Sequence, residues 1–249
     1  MKSIIIIPAR YASTRFPGKP LADINGKSMI QRVVEQALKV TSEVWVATDD
    51  QRIYKHVENF GGNVVMTRED HPSGTDRIAE ALAKVELLKK TTFDVVINIQ
   101  GDEPFILPEQ VESLKNAFHN EAIHIATLAN PLQSYEEVAD PNQVKVIFSP
   151  SGKAIYFSRS PIPFVRGVDS EKWIENCNFW GHIGMYGYRA EVLKEITKLA
   201  PSFLEKSESL EQLRWLENDY HIHVATTNHK GMGIDTPEDL EKALSQGSL

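Results

Sequence analysis

Apolar β-branched runs alternate with amphipathic stretches through the first hundred residues. Ser3-Ile4-Ile5-Ile6-Ile7 is continuously apolar from Ile4 onward, the pattern of a central parallel strand covered on both faces. Further strand patterns fall at 44–48, 64–66 and 95–99, and helical patterns at 29–40, 51–60 and 75–88. In the first helix Ile30, Val33, Val34, Ala37 and Leu38 share one face, leaving Gln31, Arg32, Glu35 and Gln36 for water. This order predicts βαβ units and a largely parallel sheet.

The regularity changes in the second half. Runs at 144–148 and 154–157 flank the turn cluster Ser149-Pro150-Ser151-Gly152, which predicts a β-hairpin and hence a mixed sheet. A strand at 182–188 precedes helices at 191–199 and about 208–218, and 161–170 is expected to be a mobile loop. The last helix has explicit start chemistry. Thr236 is placed to cap it, Pro237 suits its first position, and Asp239 completes a capping-box spacing.

Composition narrows the possibilities. A chain of 249 residues, 41% hydrophobic and 24% charged, has the profile of a water-soluble globular protein. The net charge of −7 argues against nucleic acid or an anionic membrane as partner. One cysteine, Cys177, forms no internal disulfide and no zinc cluster, so a reducing, cytoplasmic location is expected and the thiol is read as packed or incidental. The apolar run at 3–7 is too short for a signal segment or a membrane span.

The candidate chemistry lies where strands end. After Ile7 come Pro8-Ala9-Arg10, then Ser13-Thr14-Arg15 and Pro17-Gly18-Lys19. Arg10, Arg15 and Lys19 can converge on a polyanion, and the small residues Ala9, Ala12, Ser13 and Gly18 let backbone amides approach it. Gly18-Lys19 is followed by Pro20, so this is neither a Walker A loop nor a dinucleotide turn. It is a solvated cationic loop or a triphosphate cradle.

A second strand runs into Gln100-Gly101-Asp102-Glu103-Pro104, where Asp102 suits Mg²⁺ beside phosphates or serves as an ordinary turn residue. Asp235, just before the capped helix, offers another carboxylate, though spacing alone does not bring it to Asp102. Ser73-Gly74-Thr75-Asp76-Arg77 opens a helix whose first amides favour an anion or a polar base edge, and it equally reads as an N-cap. His182 in an apolar strand is a core histidine or a pocket wall, and Glu211 with Arg214 is a helix-face ion pair or another wall.

Together these segments resemble the cytidylyltransferases that activate 3-deoxy-manno-octulosonate (KDO), the CMP-KDO synthetases. The likeness continues through Tyr156-Phe157-Ser158-Arg159, His182-Ile183-Gly184, Leu210-Glu211-Gln212-Leu213-Arg214 and Asp235-Thr236-Pro237-Glu238-Asp239, covering essentially the whole chain in order. Phe16 stands where leucine is frequent and Asp76 where glutamate often occurs, and neither change removes a required charge.

The resemblance implies an α/β nucleotide-diphospho-sugar transferase fold of the glycosyltransferase-A-like type, with a smaller mixed-strand region for the sugar and for dimer contacts. It places the nucleotide-binding part at about 1–130 and 226–249 and the sugar part at 131–225. The implied reaction is CTP plus KDO giving CMP-KDO and pyrophosphate. Ala9, Arg10, Arg15 and Lys19 would hold the triphosphate, and Ser73, Gly74, Arg77 and Gln100 the cytidine side. Arg159, His182, Tyr186, Glu211 and Gln212 would face the sugar acid. Asp102 and Asp235 would bind magnesium, acting with Lys19 as the catalytic set. An 8-amino KDO derivative, another sugar acid, or a nucleotide-binding protein without turnover are the competing expectations.

Overall fold

The computed structural model describes residues 1–12, 15–231 and 233–245. Ser13 and Thr14 of the cationic loop lie outside the described residues. The chain is a mixed α/β protein that divides into two compact units. The first comprises Met1–Lys115, Gly187–Thr197 and Gly231–Leu249, and the second Asn116–Tyr186 and Lys198–Lys230. The second unit overlaps the expected sugar part, 131–225, but begins earlier, at Asn116, ends later, at Lys230, and omits Gly187–Thr197, which groups with the first unit.

In the first unit β1 (Ser3–Ala9) is central. It pairs in parallel with β4 (Val44–Thr48) on one side and with β6 (Val95–Asn98) on the other, and β5 (Asn63–Met66) follows beyond β4. Ile4 to Ile7 are essentially inaccessible to water. Burying four such side chains contributes on the order of 6–12 kcal/mol before the entropic cost of ordering them. A two-residue hairpin, β2 (Asp23–Ile24) with β3 (Lys27–Ser28), leads into helix α1 (Met29–Leu38), whose N-cap Ser28 accepts the Gln31 amide at 3.2 Å. Helices α2 (Gln51–Asn59), α3 (Gly74–Lys89) and α4 (Pro108–Ala117) come next in order.

The second unit holds β7 (Ile125–Pro131), α5 (Tyr135–Ala139), β8 (Lys145–Phe148), β9 (Ala154–Ser158), α6 (Trp173–Asn176) and the start of β10 (Trp180–Arg189). The hairpin is present: β8 and β9 pair antiparallel, and Gly152 takes the left-handed conformation the turn requires. The segment 161–169 carries no helix or strand. Helix α7 (Ala190–Ile196) then belongs to the first unit. The helix expected at 208–218 is instead two, α8 (Phe203–Glu208) and α9 (Gln212–Glu217). Ser209 between them is left-handed (φ 53°), which ends one helix before the next begins. Strand β11 (Ile222–Thr226) pairs in parallel with β7, and neither strand is among those expected from the pattern.

Helix α10 (Pro237–Ser245) starts as its sequence dictates. Thr236 Oγ1 accepts the Asp239 amide at 3.2 Å, and Asp239 accepts the Thr236 amide at 2.9 Å. Ile234 is fully buried with Ile24, Met29 and Ala243, which anchors the residues leading into this helix.

Gly101 fixes how closely β1 approaches the turn after β6. A methyl group there would lie 2.9 Å from the Pro8 carbonyl oxygen, whereas one on Gly74 would meet Pro8 Cγ at an ordinary 3.6 Å. Gly101→Ala is therefore expected to cost about 1–3 kcal/mol, lowering the melting temperature by several degrees. Gly74→Ala should change it by less than about 2 °C. Thermal unfolding of both variants checks this contrast.

Candidate active site

The carboxyl ends of β1 and β6, the start of α3 and the approach to α10 frame a cleft of about 350 Å³ in the first unit. Its lining includes Ala9, Arg10, Arg15, Lys19, Ser73, Gly74, Arg77, Gln100, Asp102 and Asp235, so every nucleotide-side and metal-side candidate is gathered here. The strand ends of an open α/β sheet are where ligands are expected to bind.

The cationic loop closes on itself. The Gly18 amide donates to the Tyr11 carbonyl at 3.0 Å, and Gly18 is left-handed (φ 73°) against the Tyr11 ring, over which the Arg52 guanidinium stacks at 3.3 Å. The chain then enters a single 3₁₀ turn at Lys19–Leu21, whose Pro20 has no amide to satisfy. This turn directs Lys19 inward, leaving its side chain 11% exposed.

Lys19 Nζ donates to Asp102 Oδ2 at 2.7 Å and to Asp235 Oδ1 at 3.2 Å. Arg15 reaches the other oxygen of Asp235 at 3.0 Å. The Ile234 amide donates to the Asp102 carbonyl at 2.9 Å, which brings the loop before α10 to the turn after β6 and so pairs two aspartates far apart in sequence. Arg10 is exposed and makes no ion pair among the described residues. The cleft thus offers one unmatched cation, one loosely held cation in Arg15, and one buried cation bridging two carboxylates.

Ser73 is the N-cap of α3. Its hydroxyl accepts the Asp76 amide at 3.2 Å and donates to the Asp76 carboxylate at 2.6 Å. Arg77 lines the cleft while its guanidinium is engaged below it, with Asp49 at 2.5 Å, Thr67 Oγ1 at 2.6 Å and the Arg68 carbonyl at 3.3 Å. Its charge is matched by Asp49, and it braces the wall.

Two neighbours escaped the sequence reading. His71 lines the cleft next to Pro72, and its imidazole is bonded to Glu80 of α3. Glu103 is half-buried beside Asp102 with one carboxyl oxygen shut off from solvent, and this burial, reinforced by the adjacent charge, pushes its carboxyl up to about 8. Its proximity to Asp102 was visible in the chain, but its burial was not.

The sugar-side candidates all lie in the second unit. Arg159 is held by main-chain oxygens: Nε donates to Glu208 O at 2.7 Å and the terminal nitrogens to Pro141 O and Ser209 O, while its own amide donates to the Glu208 carboxylate at 2.9 Å. Gln212 and Tyr186 are buried, Glu211 is half-buried, and Arg214 pairs with Glu205 of α8 at 2.8 Å.

His182 is a packed histidine. Its ring sits edge-on to Phe157, and Nε2 lies 2.9 Å from Thr127 Oγ1. The Thr127 hydroxyl also reaches the Met185 carbonyl at 2.8 Å and the Ile183 carbonyl at 3.2 Å, so the ring is tied to a polar group enclosed by main chain. Burial pushes its pKa down from 6.5 to about 3. Between these values the unfolded chain binds a proton that the folded chain does not. Stability from this residue is therefore complete above pH 6.5 and falls as pH drops toward 3, by up to about 1.4 kcal/mol per pH unit. His182→Asn should remove that one-proton slope, which urea unfolding at a series of pH values measures.

Comparison with known proteins agrees with this geometry. Residues 4–223 match the cytidylyltransferase family model. The chain is 55% identical to the 3-deoxy-manno-octulosonate cytidylyltransferase of Parabacteroides distasonis, covering 98% of each, and 53% identical to that of Bacteroides thetaiotaomicron, covering 98% of this chain and 97% of the relative. A solved structure of CMP:2-keto-3-deoxy-manno-octonic acid synthetase complexed with CTP superposes with a TM-score of 0.91 at 44% identity, covering 100% of this chain and 99% of that one. With a cleft built from the ends of parallel strands and near full-length identity of this order, the chain belongs to the 3-deoxy-manno-octulosonate cytidylyltransferase family.

Proposed function

We propose that the protein transfers CMP from CTP to the anomeric hydroxyl of KDO, releasing pyrophosphate and forming a precursor for lipopolysaccharide. The observation that carries the reading is the Lys19 bridge between Asp102 and Asp235 in a cleft that also presents Arg10, Arg15 and the first amides of α3. Three cations beside helix-start amides suit a triphosphate. In the transfer the sugar oxygen bonds to the α-phosphorus as its bond to the pyrophosphate oxygen breaks, so catalysis needs alignment and charge neutralisation and no protein nucleophile.

Arg10 meets the polyphosphate first, and Arg15, exposed and held at one carboxylate oxygen, turns from Asp235 onto it. Lys19 stays at the junction, positioned to neutralise charge on the departing oxygens. Ser73, Gly74, Arg77 and Gln100 form the cytidine side, and Ala9 lets the main chain approach the phosphates. Arg159, His182, Tyr186, Glu211 and Gln212 are assigned to the sugar acid, with Arg159 as the charge for its carboxylate.

The donor set at the junction fits magnesium. Asp102 and Asp235 supply only hard oxygen donors, converge on one ammonium group and remain partly open to solvent. They would hold the metal, which when bound screens triphosphate charge and lowers the pKa of the attacking hydroxyl. Two magnesium ions, a homodimer and a cytoplasmic location complete the reading by family resemblance. No helix among the described residues is long and apolar enough to cross a membrane.

A substrate panel tests the sugar assignment. Pyrophosphate release should be fastest with KDO and at least about tenfold slower with its 8-amino derivative or sialic acid, a margin one well-placed polar contact supplies. Equal rates with sialic acid would reject it.

A further inference from the structure

We infer that Glu80 is a positioning residue for the nucleotide: from α3 it fixes the loop 67–72 that walls the cleft, and so sets CTP affinity without touching CTP. The loop leaves β5 through Thr67 and returns to the cleft at His71 and Pro72, just before the Ser73 cap. Glu80 Oε2 accepts the Arg68 amide at 3.1 Å and is bonded to the His71 imidazole. Its other oxygen pairs with Lys84 at 2.7 Å.

Arg77, one turn earlier on the same helix face, grips Thr67 Oγ1 and the Arg68 carbonyl. The two side chains therefore satisfy both main-chain polar groups of Arg68 and tie down both ends of the loop. Burial by itself would raise the Glu80 pKa, but the bonds from Lys84, the Arg68 amide and His71 outweigh it and hold the carboxyl down to about 2. The anchor is therefore a carboxylate at any pH at which the protein works. A loop tethered at two points is already ordered when ligand arrives, so less affinity is lost to ordering it.

The proposal rests on the cleft being the CTP site. Steady-state kinetics of Glu80→Ala, Glu80→Gln, His71→Ala and Lys84→Met, with CTP and KDO varied in turn, test it. Glu80→Ala should raise KM for CTP about tenfold, leaving kcat at saturating CTP and KM for KDO within about twofold. Glu80→Gln keeps an acceptor for the Arg68 amide and His71 and should recover most of the loss. Lys84→Met removes the outer partner and also the 2.8 Å bond from Lys84 to the Met66 carbonyl at the end of β5, but leaves the Arg68 and His71 contacts in place, so it should raise KM for CTP by no more than about twofold.

His71→Ala should itself raise KM for CTP, and adding Glu80→Gln to it should bring little further change, since the two share one contact. An unchanged KM for CTP in Glu80→Ala overturns the inference. If that variant does not fold, an unchanged KM in His71→Ala overturns it instead. Equal losses in kcat and in both KM values would also overturn it, marking general destabilisation. Failure of the underlying reading is separable, because wild-type protein would then show no CTP-dependent pyrophosphate release before any variant is compared.

Discussion

Asp102→Asn is expected to lower kcat by about 10³-fold or more, the scale reached when a group that handles transition-state charge is removed. The fold should survive. Asp102 is partly exposed, and its loss leaves Lys19 still bonded to Asp235 at 3.2 Å, so no buried charge is stranded. Asparagine also keeps the side-chain shape, and the Asp102 carbonyl that receives the Ile234 amide is main chain. Asp235→Asn should behave alike, since the Arg15 pair it weakens is exposed and worth little to stability. Pyrophosphate release and thermal unfolding measured on the same preparations check both halves. Wild-type turnover in either variant contradicts the assignment of these carboxylates.

Lys19→Met carries the second largest expected effect, a loss of about 10²–10³-fold in kcat. Methionine fills the slot without charge, so Asp102 loses its cation, Asp235 keeps only the exposed Arg15, and the triphosphate loses its innermost cation. Lys19→Arg should not rescue the rate, because a planar guanidinium does not fit a nearly closed slot shaped for an ammonium bonded to two carboxylates. Arg15→Ala should cost far less, given that Arg15 is mostly exposed and reaches a single carboxylate oxygen. Rates for the three variants at saturating substrates test the ranking, and an arginine variant with wild-type kcat would show that position 19 supplies charge alone.

Much of this was written locally in the chain. The isoleucine run specifies β1, because four consecutive buried β-branched residues suit a strand covered on both faces. Thr236, Pro237 and Asp239 specify the start of α10, because capping depends only on nearest neighbours. The cations after β1 and Asp102 after β6 follow from strand order.

What the chain did not disclose depends on distant contacts. Asp235 meets Lys19 across 216 positions, through a register set by the Ile234 amide and the burial of Ile234 in the first-unit core. Arg77 reads as a free cation near a helix start until Asp49, from the end of β4, is placed against it. Strands β7 and β11 went unseen for a compositional reason: Ala126, Thr127 and Ala129 in one, and His223 in the other, dilute the apolar signal. The break at Ser209 depends on a left-handed residue that nothing in a Ser-Glu-Ser-Leu run announces.

The most direct measurement is product stoichiometry from purified protein incubated with CTP, KDO and Mg²⁺, following pyrophosphate and the CMP-sugar together. One pyrophosphate should appear per CMP-KDO formed, with none released when the sugar acid is omitted and far less when UTP replaces CTP. Pyrophosphate release without the sugar acid, or equal product from UTP, would contradict the account.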